Sequence, residues 1–194
     1  MIGESRGRGY DAVVLAGGSA RRLGGADKPG LRVGDSTLIE RVAAAVCDAG
    51  RLVIVGPARA GLDAAIVTRE DPPGGGPVPA LAAGLVHVRA PWVAMLAADL
   101  PFLGPAHVTA LREAATDGSG AVLVDGGGHE QWTAGVWPVA VLRDALGGYG
   151  GGSLRGLLAP LSPRRVSVPV TPGAPPPWLD CDTLDDVERA REWA

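Results

Sequence analysis

Short apolar runs rich in β-branched residues alternate along this chain with segments of helical periodicity, and that alternation restricts the folds open to it. The runs cover residues 10–16 (YDAVVLA), 52–55, 64–68, 92–98 (WVAMLAA), 121–124 and 133–137. Helices are expected over residues 38–49, 80–88, 105–116, 139–146 and 154–161, with a last helix after Asp182. Thr37 and Glu40 stand at capping-box spacing before the first of these, and Gly50 closes it. Pro105 opens another from its first turn. Further strands are expected at 165–170 and, as a short extended piece, at 178–181. Strands alternating with helices predict an α/β domain with a mostly parallel sheet flanked by helices. In such sheets ligands bind beyond the carboxyl ends of the strands. Gly17-Gly18 and Asp99 both fall at such ends.

With 194 residues the chain suits one domain over residues 10–194, preceded by a polar Gly/Arg-rich tail at 1–9 that lacks the apolar stretch of a signal peptide. The 30 Gly and 17 Pro cluster between the apolar runs, as loops do. Gly147 to Gly152 reads as a flexible connection. A formal net charge of −3 argues against a nucleic-acid partner. The most apolar region, 78–103, is interrupted by His87, Arg89, Pro91 and Asp99, which argues against a membrane span. Cys47 and Cys181 lack metal-ligand spacing, so a reducing, cytoplasmic setting is expected.

The chemistry concentrates where the first strand runs into LAGGSARRLGGADK, Leu15 to Lys28. Glycines after a strand let backbone N–H groups approach a phosphate closely. Arg21, Arg22 and Lys28 add positive charge in the same loop. Of the 18 basic residues 17 are arginines, and the one lysine is Lys28, beside the glycines. The loop matches neither GxxxxGK[ST] nor GxGxxG, which sets aside a P-loop and a dinucleotide fold. Asp99 ends an otherwise apolar strand, where a carboxylate needs a partner or a cation. With a phosphate loop at the same sheet edge, a magnesium ligand is the expected role. Asp180 or Asp182 could supply a second ligand, although Asp182 also fits the N-cap of the last helix. Glu70-Asp71 could hold a ribose hydroxyl or be solvated turn residues. His87, His107 and His129 are too scattered for a zinc site.

LAGGSARRLGGADK resembles the signature of the molybdenum cofactor guanylyltransferases, a branch of the nucleotidyltransferases with a Rossmann-like α/β fold. The likeness continues through GPVPALAAGL (76–85), ADLPFL (98–103) and DCDTLDD (180–186). It implies that Leu15, Ala16, Gly17 and Gly18 meet the nucleotide, that Arg22 and Lys28 hold the triphosphate, and that Asp71 lies by the nucleoside. It further implies that Asp99 binds Mg2+, with the second carboxylate open between Asp180 and Asp182. The reaction implied is transfer of GMP from GTP to molybdopterin with release of pyrophosphate, with transient contacts to other cofactor-biosynthesis or acceptor proteins. Three departures from the family pattern stand out: an asparagine often found after the second strand is absent, with Gly56-Pro57 in that neighbourhood; Asp182-Thr183-Leu184 stands for asparagine-threonine-proline; and Val78-Pro79-Ala80 differs from the usual Leu-Ala-Gly. The related cytidylyltransferases typically read LAAG where this chain has LAGG, so Gly17 favours guanine. A nucleotide-binding module without catalysis is the reading from another class.

Overall fold

The computed structural model describes residues 9–17, 27–116 and 118–194. Its centre is a seven-stranded sheet in the order β5-β4-β1-β6-β8-β7-β9. The strands are β1 (Tyr10–Leu15), β4 (Leu52–Val55), β5 (Ile66–Thr68), β6 (Trp92–Ala97), β7 (Ala121–Val124), β8 (Glu130–Pro138) and β9 (Arg164–Val166). β1 pairs in parallel with β4 and β6, β4 with β5, and β7 with β9. β8 runs antiparallel to both β6 and β7, so it alone opposes the rest. The expected mostly parallel sheet is therefore present.

Strand alternation sends side chains to two faces, and each face has its own core. Ala12, Val14, Ile54 and Leu96 pack with Ile39 and Val42 of α1 (Leu38–Ala45) and Val108 and Leu111 of α3 (Pro105–Ala114). On the other face, Val13, Val53 and Met95 pack with Leu81 and Leu85 of α2 (Pro77–Leu85), Leu142 of α4 (Val139–Gly148) and Leu157 of α5 (Leu154–Leu158). A Cβ added to Gly84 would stand 2.6 Å from Val13 Cγ1 and 3.0 Å from Val55 Cγ2, so α2 lies closer to the sheet there than any side chain would permit. Asp11, buried at the start of β1, accepts the Arg89 and Ala90 N–H groups at 2.7 and 3.0 Å and pins the turn into β6. No helix among the described residues is long and apolar enough to cross a membrane.

A third cluster joins Leu38 to Val33, Cys181, Val187 and Ala190. It forms because α6 (Leu184–Arg191) packs near a two-stranded hairpin, β2 (Arg32–Val33) and β3 (Ser36–Thr37). Its two-residue turn, Gly34-Asp35, opens on Gly34 at φ +61°, a conformation glycine adopts without steric cost. The sequence gives this hairpin only two residues per strand, too few for an alternation pattern to show.

Several expectations need correction. Asp182 is not the cap of the last helix: Thr183 is, with its hydroxyl accepting the Asp186 N–H and the Asp186 carboxylate accepting the Thr183 N–H at 2.8 Å. Helix α2 begins at Pro77, three residues before the expected start, because Gly76 at φ +98° delivers the chain directly into it and Pro77 fits its first turn. Gly147 and Gly148 belong to α4, which continues because Leu146 and Tyr149 both pack on the α2-side core. β9 ends at Val166, and residues 178–181 form no strand.

Candidate nucleotide site

The carboxyl ends of β1, β4, β5 and β6 lie side by side. Ala16 donates its N–H to Val55 O at 2.9 Å, Gly56 donates to Thr68 O at 2.9 Å, and Ala98 donates to Leu15 O at 3.1 Å. A Cβ at Gly56 would meet Ala16 O at 2.8 Å, so the absence of a side chain lets the ends of β1 and β4 converge.

Lys28 reaches this rim from a single 3-10 turn, Lys28–Gly30. Its Nζ donates to Asp99 Oδ2 and to Asp182 Oδ1, each at 2.6 Å. The side chains of Lys28, Asp99 and Asp182 are 18%, 23% and 48% exposed, so the ammonium is mostly enclosed while one of its acceptors faces solvent. Cys181 N–H donates to Asp99 O at 3.1 Å, which ties the segment carrying Asp180 and Asp182 to the end of β6. Burial by itself would lower the Lys28 pKa, but the charges and hydrogen bonds of Asp99 and Asp182 together outweigh it and raise the value. Lys28 is thus held protonated. Asp180 is pushed up, first by burial and then by the neighbouring Asp182 and Asp99 charges. The Cys181 thiol, buried beside these carboxylates, is pushed up to about 12. Asp27, next to Lys28, pairs with Arg59, which braces the turn against the loop after β4.

The structure therefore brings together Lys28, Asp99 and Asp182, which are separated by 71 and 154 residues in the chain. Leu15 and Ala16 are buried beside them and Gly17 is exposed at the rim. Gly18, Arg21 and Arg22 lie outside the described residues. Asp71 is exposed at the start of the Pro/Gly loop. Its neighbour Glu70 turns inward and is buried, so the paired reading as solvated turn residues fails for Glu70. The pattern Thr183-x-x-Asp186 marks the true cap and, read as a capping box, would have released Asp182 for this cluster.

The arrangement can neutralise anionic oxygen. A protonated lysine supplies donors without an acceptor, and two carboxylates converge on the point it occupies. Among the described residues no set of three His, Cys, Asp or Glu side chains converges on a metal position. Two carboxylates without thiol or imidazole suit a hard cation that takes its remaining ligands from substrate phosphates and water.

The family model for the MobA-like NTP transferase domain matches residues 12–167. A molybdenum cofactor guanylyltransferase of Bradyrhizobium sp. is 29% identical over 194 residues, covering 94% of this chain and 92% of that protein. A probable molybdenum cofactor guanylyltransferase of Opitutus terrae is 34% identical over 140 residues, covering 69% and 68%. Among solved structures, a nucleotidyl transferase from Methanothermobacter thermautotroptrophicus superposes with a TM-score of 0.77 at 22% identity, covering 96% of this chain and 97% of that one. The strand-end glycines, the enclosed lysine with its two carboxylates and these matches agree in placing the chain in the MobA-like NTP transferase family, as a nucleotidyltransferase.

Proposed function

We propose that this enzyme transfers GMP from GTP to the terminal phosphate of molybdopterin. An oxygen of that phosphate forms a bond to the α-phosphorus of GTP. The bond from the α-phosphorus to the bridging oxygen breaks, and pyrophosphate leaves with that oxygen. The attacking group is already anionic, so the protein's task is positioning and charge neutralisation rather than proton transfer.

The observation that carries this reading is Lys28, held protonated at the strand ends between Asp99 and Asp182. A phosphate entering the site offers the ammonium new acceptors and would draw it from the carboxylates. Asp99 and Asp182, with Asp180 beside them, would then hold Mg2+, which supplies further neutralisation of the phosphate charge when bound. The choice of guanine and of molybdopterin is supported by the names of the relatives and by the LAGG opening at Leu15 to Gly18.

The test is pyrophosphate release from GTP, CTP, ATP and UTP, each with molybdopterin and Mg2+. GTP is expected to be the preferred donor. Preference for CTP would make the chain a cytidylyltransferase, and nucleotide binding without pyrophosphate release would make it a non-catalytic module; either result overturns the reading.

A further inference from the structure

Glu70 has no role in the charge neutralisation described above, yet among the described residues it is the one carboxylate with a buried oxygen that lacks a hydrogen-bond partner. It is 7% exposed. Its Oε1 accepts the Gly74 N–H at 2.9 Å, whereas Oε2 is fully enclosed and has no hydrogen-bond partner among the described residues. An enclosed acceptor without a donor is costly, and such groups are rare in folded proteins. The carboxylate lies against the end of β1: a Cβ at Gly17 would be 3.8 and 3.9 Å from its two oxygens. The exposed Gly17, which carries no side chain, thus stands against this carboxylate at the rim.

We propose that Glu70 reads the nucleobase and selects guanine. The inference rests on the guanylyl reading above and names the residue that enforces it. Sheet order supplies the geometry. Glu70 follows β5 and Asp99 follows β6, and the end of β1 lies between them in the order β5-β4-β1-β6. A nucleotide with its phosphates at Lys28 that lies across the end of β1 presents its far end, the base, toward Glu70. Chemistry supplies the selection. An ionised carboxylate only accepts hydrogen bonds. Guanine is the one common base whose pairing edge carries two adjacent donors, the ring N1–H and the exocyclic N2 amine. Adenine and cytosine each set a ring acceptor beside their amine, and uracil flanks its single N–H with carbonyls, so all three bring an acceptor against the carboxylate.

The test is equilibrium binding to the full chain, with Mg2+, of GTP, inosine triphosphate (no N2 amine), xanthosine triphosphate (a C2 carbonyl in place of the amine) and 2′-deoxy-GTP. The wild type is expected to favour GTP over the inosine and xanthosine nucleotides by about 10–100-fold, the scale of a hydrogen bond to a charged group. Glu70→Gln keeps an oxygen for Gly74 and turns the other arm into a donor. It should bring GTP and the inosine nucleotide within about threefold of each other and improve xanthosine over GTP by about tenfold or more. A structural defect would weaken all nucleotides together and produce no gain for xanthosine.

If the wild type prefers a base other than guanine, the guanylyl reading fails. If it prefers GTP to ATP, CTP and UTP but binds the inosine nucleotide equally well, the Glu70 proposal fails and that reading stands; this comparison needs no variant. Unchanged ratios in Glu70→Gln, or discrimination that changes only for 2′-deoxy-GTP, would likewise overturn it, the latter moving Glu70 to the ribose.

Discussion

Replacing Lys28 by methionine should move stability, cation response and turnover in directions that no simple loss of structure reproduces. Methionine keeps much of the aliphatic stem and removes the charge. The Asp182 arm is half-exposed, so its ion pair is worth about 0.5 kcal/mol on the surface-pair scale. The Asp99 arm is more enclosed and contributes about 1.5 kcal/mol as a charged hydrogen bond. Together they predict a loss of about 2 kcal/mol, which lowers the Tm of a chain this size by about 4–8 °C in the absence of divalent cations. The two carboxylates then face each other without an ammonium between them, and added Mg2+ should bind at least about tenfold more tightly to the nucleotide-free variant than to the wild type. Turnover should nevertheless fall on the order of 10²–10³-fold, since the cation no longer serves the phosphates. Thermal unfolding across a MgCl2 titration, followed by pyrophosphate release, measures all three. Superimposable Mg2+ titrations for the two proteins, or turnover within twofold, would refute the reasoning.

Other expectations follow from local geometry. Gly84→Ala would normally strengthen a helix, but its Cβ has no room against Val13 and Val55. Overpacking should therefore cost about 1–2 kcal/mol net, and a raised Tm would contradict the close approach of α2. In the folded enzyme a thiol reagent should modify exposed Cys47 and spare Cys181, which is buried and pushed up to about 12; two rapidly reacting thiols without denaturant would show that the third core is open. Glu40, in the cap of α1, is held below its ordinary pKa mainly by the Thr37 N–H. Because the folded value is lowered, the cap's contribution is complete above the ordinary carboxylate pKa and is lost as pH falls through the lowered one. Glu40→Gln should thus cost about 0.5–1 kcal/mol at pH 7 and progressively less as pH falls through the lowered value, and a difference independent of pH would exclude this origin.

Much of the fold was legible because its signals are local. The run YDAVVL, the Thr37–Glu40 box and the proline at the start of α3 each declare an element within a few residues, and the structure places β1, α1 and α3 accordingly. The β2–β3 hairpin was not legible, since two residues per strand carry no period. Asp182 was misassigned because two adjacent residues, Asp182 and Thr183, are both good N-caps, and propensity alone does not separate them. Glu70 is ambiguous in the sequence because its neighbours, Arg69 and Asp71, suggest a solvated turn; its burial and the Gly74 N–H it accepts belong to the folded chain.

The class of fold follows from periodicities of 2 and 3.6 that each segment carries independently; Lys28 stands out in the sequence as the one lysine, in the loop with the strand-end glycines, and Asp99 as a carboxylate that ends an apolar strand. What the tertiary structure alone decided is which charges meet. Lys28, Asp99 and Asp182 share one point because β6 lies next to β1 and Cys181 hydrogen-bonds to the end of β6. Glu70 meets Gly17 because β5, β4 and β1 are neighbours in one parallel sheet, which brings their carboxyl ends together. Electrostatic and hydrogen-bond energies depend on separation in space, and separations of 71 and 154 residues along the chain are silent about that until the strands are paired.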